Sequence, residues 1–178
     1  MRKLIESTFV TLDGIVSTPE KWSAPYWDEE HTDYASSLLR EADALVLGRR
    51  TYDNFAGSWP LRSGDWYTDK MNSMPKHVAT HSPSDLSWNA TVLEGDPIES
   101  VAALKELDGG HLLKFGTGEF SKSLLTAGLV DEYHFWIFPA AAGTGDRLFD
   151  GLGLTHFHLV ATTPLKSGIT IHRLVPNH

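Results

Sequence analysis

Strand-like and helix-like segments alternate along most of this chain, and no other feature of the sequence limits the possible folds so strongly. Short apolar runs such as 44–47 and 112–115 are typical of buried strands. Between such runs, as in 28–42, apolar residues recur at the three- and four-residue spacing of a helix with one buried face. Strands that are separated by helices form parallel sheets with helices on both faces. The sequence therefore predicts an α/β fold.

The end of the chain departs from this alternation. Two strand patterns, 157–163 and 169–175, follow each other with only a short turn through Lys166-Ser167-Gly168, which predicts an antiparallel hairpin and makes the sheet mixed. No linker or internal repeat divides the chain, so we expect one domain over 1–178. The other predicted strands are 3–11, 77–80, 91–93 and 133–138, and the other predicted helices are 51–55, 65–73, 97–108 and 120–127.

Composition excludes several classes of protein. The 178 residues include no cysteine, which excludes disulfide scaffolds, cysteine-ligated metal sites and cysteine nucleophiles. The formal charge of −8 argues against a nucleic-acid partner. Glu6 interrupts the apolar run near the start, unlike a signal peptide, and the longest near-apolar run, 135–143, is about half the length of a membrane span. We expect a soluble, cytoplasmic protein without a membrane partner.

Two junctions between a strand and a helix carry the strongest functional signal. They are Gly48-Arg49-Arg50-Thr51 and Gly116-Thr117-Gly118-Glu119. Free N–H groups at the start of a helix bind anions, glycine lets a phosphate come close, and arginine adds forked donors. Two such starts side by side predict a site for a pyrophosphate. The alternative is that the glycines only make tight turns, because the third glycine of the dinucleotide fingerprint is missing.

Metal and serine chemistry have weaker signals. His156 and His158 share one face of a strand, but no third ligand is evident, so we expect no metal site. No Gly-x-Ser-x-Gly elbow is present, and Ser121 and Ser123 are expected to be exposed helix residues.

Four segments of the chain carry a family resemblance. They are Thr11-Leu12-Asp13-Gly14, Gly48-Arg49-Arg50-Thr51-Tyr52, Lys76-His77-Val78-Ala79-Thr80 and a long stretch from Gly116-Thr117-Gly118 through Leu129-Val130-Asp131-Glu132-Tyr133 to Gly143-Thr144-Gly145-Asp146-Arg147-Leu148-Phe149. Together they resemble the dihydrofolate-reductase-like family, and specifically its riboflavin-biosynthesis reductase branch, as a stand-alone member without the deaminase domain. The most specific part is 129–133 followed by 143–149.

The resemblance implies a three-layer fold with a central mixed sheet, an NADPH cleft and a small-molecule substrate. It implies that Arg49 serves the 2′-phosphate and that both helix starts serve the pyrophosphate. Relatives also imply that Thr80, His81 and Ser82 touch the adenosine end, and that Asp13 and Gly14 approach the nicotinamide. Related reductases often form dimers, and the strand 133–138 is apolar on both faces, so we expect a homodimer.

The proton donor is the least determined part of the site. Folate-reducing relatives carry a carboxylate on the first helix at a distance that falls near Asp33. A helical wheel turns Asp33 away from the buried side and turns Asp28 and His31 inward. Either the helix begins later, or the folate carboxylate has no counterpart here, which we favour. The resulting prediction is an NADPH-dependent reductase of a pyrimidine-type substrate; the alternatives are a non-catalytic nucleotide-binding or dimerisation module and a dihydrofolate or pterin reductase.

Overall fold

A computed structural model describes residues 1–82 and 85–177 and confirms the α/β architecture. Its elements match the sequence pattern closely, with shifts of one or two residues at most ends. The strands are β1 Leu4–Thr11, β2 Ala42–Gly48, β3 Lys76–Ala79, β4 Ala90–Val92, β5 His111–Phe115, β6 Glu132–Phe138, β7 Phe157–Pro164 and β8 Thr170–Pro176. The helices are α1 Glu29–Glu41, α2 Arg49–Ala56, α3 Trp66–Ser73, α4 Pro97–Glu106 and α5 Glu119–Thr126.

All eight strands form one sheet in the order β4-β3-β2-β5-β1-β6-β8-β7. The pairs among β1 to β6 are parallel, whereas β8 runs antiparallel to both of its neighbours. The expected hairpin is therefore present and is the sole source of the mixed character. Although β8 follows β7 in the chain, it lies between β6 and β7 in the sheet, so that β7 forms one edge.

Helices cover both faces of the sheet and complete three layers. One face carries α4 and α5 over a core that includes Leu4, Leu112 and Tyr133. The other face carries α1, α2 and α3 over a second core and an aromatic cluster around Trp136. Both faces of β6 are thus covered within a single chain, which removes the reason for which β6 suggested a dimer.

The loop before α1 is more ordered than its proline-bracketed sequence suggests. It contains two short 3₁₀ turns, Pro19–Lys21 and Ala24–Tyr26. Trp22 and Tyr26 from these turns pack against Phe138 at the end of β6.

No helix in the described part of the chain is long and apolar enough to span a membrane.

Candidate ligand cleft

The cleft lies where two neighbouring strands send their following helices to opposite faces of the sheet. β2 and β5 are adjacent and parallel, and α2 follows β2 on one face while α5 follows β5 on the other. Ligands of open parallel sheets bind at such a point, beyond the carboxyl ends of the strands. A cleft of about 550 Å³ opens here. Its lining includes Gly48, Arg49, Arg50, Thr51, Lys114, Gly116, Thr117, Gly118, Glu119, Ser121, Lys122, Asp146, Arg147 and Phe149.

The two helices that begin at the cleft are capped differently from the other three. The helices α1, α3 and α4 each begin after an aspartate whose side chain accepts a backbone N–H of the first turn. In contrast, α2 and α5 begin after Gly48 and Gly118, which supply no side-chain acceptor. The first N–H groups of a helix have no partner within it, so a ligand in the cleft is left to accept them.

Gly116 brings the two junctions into direct contact. Its φ is +70°, a left-handed conformation that favours glycine, and a Cβ built on it would lie 2.8 Å from Thr51 Oγ1. The turn after β5 therefore packs against the first turn of α2. Thr51 could not approach so closely if residue 116 carried a side chain.

The paired arginines point to different partners. Arg49 donates from Nε to Asp53 Oδ1 at 2.8 Å and from one terminal nitrogen to the Ser82 carbonyl at 2.7 Å. Arg50 donates to Asp146 Oδ2 at 2.9 Å and so joins α2 to the loop after β6. Among the described residues these bonds leave further N–H groups of the forked Arg49 guanidinium without an acceptor, which suits it to bind a phosphate.

The residues after β3 lie beside Arg49. Thr80 Oγ1 accepts the backbone N–H of Ser82 at 3.1 Å, which shapes the turn that presents the Ser82 carbonyl to Arg49. His81 and Ser82 are exposed. The structure therefore brings Thr80, His81 and Ser82 to the Arg49 end of the cleft, although they do not line its described wall.

Asp13 joins two loops of the chain, the turn after β1 and the loop after β6. Its carboxylate accepts the backbone N–H groups of Ala142 and Gly143 and the Thr11 hydroxyl, and these bonds lower its pKa to about 2. The Gly14 carbonyl accepts the N–H of Leu148 from the same loop. Both residues thus tie the turn after β1 to the loop after β6, and neither is among the residues that line the cleft.

A buried cation forms part of the floor, and the sequence did not reveal it. Lys114 lines the cleft while its side chain is 3% exposed, and Nζ contacts Ser121 Oγ, the Gly116 carbonyl and Glu6 Oε2. The expectation that Ser121 is exposed is wrong, because its hydroxyl turns inward to accept from Lys114. A lysine within the otherwise apolar Leu112-Leu113-Lys114-Phe115 was the signal that could have identified this group.

The two predicted catalytic residues take different positions: Asp28 caps α1, and the ring of His31 is buried. Asp28 precedes α1, and its carboxylate accepts the backbone N–H of His31 at 2.8 Å. Asp28 is half-buried and serves as the cap of α1, and its inward placement by the wheel stays a prediction. His31 is buried, as predicted, and Asp33 is exposed.

His31 lies in an aromatic cluster on the α1 face of the sheet. Its ring stacks on Trp27 at 5.3 Å and contacts Trp136 and Phe9. Burial lowers the pKa of His31, and its Nε2 atom has no hydrogen-bond partner among the described residues. A buried polar atom without a partner is costly, so this atom is a candidate to bind a ligand.

These residues fit the phosphates of a dinucleotide. Two uncapped helix starts, a glycine turn and an arginine with free donors face one space, which is the donor set that a pyrophosphate with a further phosphate requires. Among residues 1–82 and 85–177, no three metal-ligating side chains come together.

Comparisons with known proteins agree with this geometry. The family model described as "RibD C-terminal domain" matches residues 2–171. No curated protein gives a significant match to the sequence. Among solved structures, one described as a riboflavin biosynthesis protein from Shewanella sp. PV-4 is 21% identical, covers 99% of each chain and has a TM-score of 0.76.

Two further solved structures show the breadth of the fold. One is a diaminohydroxyphosphoribosylaminopyrimidine deaminase/5-amino-6-(5-phosphoribosylamino)uracil reductase from Thermotoga maritima, with 16% identity and a TM-score of 0.69; the alignment covers 99% of this chain and 57% of that one. The other is dihydrofolate reductase from Enterococcus faecalis in complex with NADP(H) and RAB-propyl, with 17% identity, a TM-score of 0.64 and coverage of 99% and 97%. These likenesses establish a dihydrofolate-reductase-like fold.

Proposed function

This chain belongs to the RibD C-terminal domain family, and from that premise we propose that it is an NADPH-dependent reductase of a small pyrimidine-type heterocycle. The observation that carries the proposal is the contrast in helix caps. Three helices have an aspartate cap, whereas the two that begin at the cleft leave their first N–H groups free. Aspartate at either position would stabilise the helix but repel a phosphate.

Each part of the cleft has a role in binding the cofactor. The starts of α2 and α5 donate to the diphosphate, and the Gly116–Gly118 turn lets it come close. Arg49 binds the 2′-phosphate with the donors that Asp53 and Ser82 leave free. When bound, NADPH supplies the hydride for reduction.

The proton is supplied from the α1 face. His31 and Tyr34 are the titratable side chains of α1 that lie in the aromatic cluster, and the Tyr34 hydroxyl is paired with His134 Nδ1 at 2.8 Å. Asp28 caps the helix and Asp33 faces solvent, so His31 is the candidate. Burial lowers the pKa of His31 and so favours its neutral imidazole, which passes a proton on from one ring nitrogen as it takes up a proton from water at the other. The flat face of Trp27, whose ring is half exposed, suits a planar heterocycle at this place.

The relatives narrow the class of substrate. The Thermotoga maritima structure is described as a reductase of 5-amino-6-(5-phosphoribosylamino)uracil, and the family model carries the name of the same riboflavin-pathway protein. We propose a substrate of that chemistry, in which a carbon–nitrogen or carbonyl centre is reduced. Ordinary folate reduction is disfavoured because no carboxylate of α1 faces the aromatic cluster.

The test is a titration of NADPH and NADH against the wild-type protein and Arg49→Ala. A charge-assisted hydrogen bond contributes about 1.5–3 kcal/mol, so NADPH should bind the wild type about ten- to a hundredfold more tightly than NADH. Arg49→Ala should remove that preference and leave NADH binding nearly unchanged.

The control is Arg62→Ala, which removes an arginine that stacks on Trp59 outside the cleft. Equal affinities of the wild type for NADPH and NADH would refute the choice of cofactor. Tight NADPH binding with no turnover of any pyrimidine or pterin would favour a non-catalytic nucleotide-binding module.

A further inference from the structure

Three polar side chains form a row across the centre of the sheet, beneath the cleft. Glu6 of β1 is in register with Lys114 of β5 on one side and with Tyr133 of β6 on the other. Their exposed fractions are 0%, 2% and 0%. Removing a charged group from water is costly, so a buried ion in a fold needs partners that compensate for it.

The ammonium group of Lys114 is attached to the cofactor turn. Nζ donates to the Gly116 carbonyl at 2.7 Å and to Ser121 Oγ at 2.5 Å. The first acceptor belongs to the turn after β5, and the second lies in the first turn of α5. The cation is thus bound to the backbone of the Gly116 turn and to a side chain at the start of α5, the two segments that face the cleft.

The counter-ion is held much less firmly. Glu6 Oε2 lies 3.2 Å from Lys114 Nζ, and neither carboxylate oxygen has a hydrogen-bond partner of good geometry among the described residues. Burial raises the pKa of Glu6, and Lys114, Ser121 and Thr8 only partly offset this. The titratable groups that face Glu6 are Lys114 and Tyr133, and burial also raises the pKa of Tyr133, so that its phenol stays neutral.

Thr8 and Tyr133 also lie close to Glu6, and their buried hydroxyl groups make no hydrogen bond of good geometry among the described residues. Thr8 and Ser121 join Lys114 in favouring the ionised carboxylate, which lowers the pKa of Glu6 against the larger effect of burial. The carboxylate therefore has donors near it but none in good geometry. In contrast, Lys114 Nζ donates to Gly116 and Ser121, both on the side of the row that faces the cleft.

We propose that Lys114 is a positioning residue, whose positive charge beneath the Gly116–Gly118 turn favours the binding of an anionic diphosphate. When the carboxyl group of Glu6 is ionised, it offsets part of that charge. This inference rests on the proposed function in one respect, namely that the cleft takes a dinucleotide. Lys114 acts through the backbone of Gly116 and through Ser121 at the start of α5.

The arrangement couples ligand binding to the protonation of Glu6. A bound diphosphate disfavours the ionised form of the Glu6 carboxylate across the row. Binding is therefore tightest when Glu6 is already protonated. When Glu6 is ionised, binding is accompanied by the uptake of a proton. The affinity of the wild type should therefore fall as pH rises through the pKa of Glu6. Glu6→Gln removes the titrating group and should abolish this part of the pH dependence.

The experiment compares the wild type, Glu6→Gln and the double variant Glu6→Gln/Lys114→Met by calorimetric titration with NADPH from pH 6 to pH 9. The double variant removes both charges together, because Lys114→Met alone would leave a buried carboxylate without its partner. We expect Glu6→Gln to bind NADPH at least as tightly as the wild type. The double variant should bind about ten- to a hundredfold more weakly, the loss expected for one charge-assisted contact.

An ion pair at the other end of the sheet serves as the control. Lys105 of α4 donates to Asp131 Oδ2 at 2.6 Å; the lysine side chain is buried and that of Asp131 is 35% exposed. This pair does not line the cleft. Lys105→Met/Asp131→Asn should therefore lower thermal stability while leaving NADPH affinity unchanged. Circular dichroism melting of all four proteins separates loss of folding from loss of binding.

ADP, which also carries a diphosphate, is the second probe and separates this inference from the proposed function. If the double variant binds NADPH and ADP as tightly as the wild type, or is weakened no more than the control, the role of Lys114 is refuted. A wild type that ignores NADPH but binds ADP more tightly than the double variant does would refute the proposed function and leave Lys114 in its role. Binding of neither probe by the wild type would overturn both.

Discussion

Substitution of Gly116 by alanine should damage the fold in two separable ways. The φ of +70° places alanine in the left-handed region, which costs about 1–2 kcal/mol. The added Cβ would also lie 2.8 Å from Thr51 Oγ1, and such overpacking costs typically about 1–3 kcal/mol. Gly116→Ala should therefore lower the free energy of unfolding by about 2–5 kcal/mol, the sum of the two.

Two other glycines of the chain serve as internal controls. Gly14 has a φ of +82° but nothing within 4 Å of its Cβ position, so Gly14→Ala carries the backbone cost alone. Gly118 has an extended φ of 162° and open space, so Gly118→Ala should leave stability nearly unchanged.

Urea unfolding followed by circular dichroism gives the free energies, with Thr51→Ala as the compensating change. Gly116→Ala in the Thr51→Ala background should cost only the backbone term of about 1–2 kcal/mol. Equal losses for Gly116→Ala and Gly14→Ala would show that Thr51 does not restrict residue 116. Failure of Thr51→Ala to compensate would lead to the same conclusion.

Three further expectations concern other parts of the molecule. His31→Phe should lower turnover of a pyrimidine substrate about a hundredfold while Asp33→Asn leaves it nearly intact; brisk dihydrofolate turnover that collapses on Asp33→Asn would contradict this. Burial lowers the pKa of Lys76 to about 8, so the folded state loses this proton before the unfolded state does and stability rises with pH. Relative to Lys76→Met, the wild type should gain about 2–3 kcal/mol of unfolding free energy between pH 7 and pH 10 in urea titrations. If the unfolding free energies of the two proteins change in parallel with pH, this role of Lys76 is refuted. Light scattering should give twice the mass of one chain, because the edge strand β7 exposes Leu159 and Val160, and Leu159→Glu should halve that mass; a wild type at single-chain mass would exclude the dimer.

Most of the fold could be predicted from the sequence because local periodicity determines it. The alternation of buried strands and one-sided helices predicted the parallel sheet, and the short turn at Lys166-Ser167-Gly168 predicted the hairpin. The two glycine junctions could be located for the same reason, since the end of a strand and the start of a helix are both local signals. Their meeting at Gly116 and Thr51 follows from the adjacency of β2 and β5, which only the structure shows.

Groups whose partners lie far along the chain could not be found in this way. Lys114 is visible as a charge in an apolar strand, but Glu6 becomes its neighbour only through the register of β1 with β5. Asp13 likewise gains its role from the backbone of Ala142 and Gly143. The helical wheel could not show that Asp28 caps α1, because rotation by 100° per residue describes positions within a helix and not the bonds of the residue before it.

The starts of α2 and α5, which have no side-chain cap, leave part of the stability of these helices to be supplied by the ligand. Aspartate in place of Gly48 or Gly118 would add roughly a few tenths of a kcal/mol of stability to the empty protein. The same carboxylate would then occupy the N–H groups that an incoming phosphate needs. Selection for thermal stability alone would therefore favour aspartate at these positions and block the cleft, whereas selection for binding leaves α2 and α5 to be capped by the ligand.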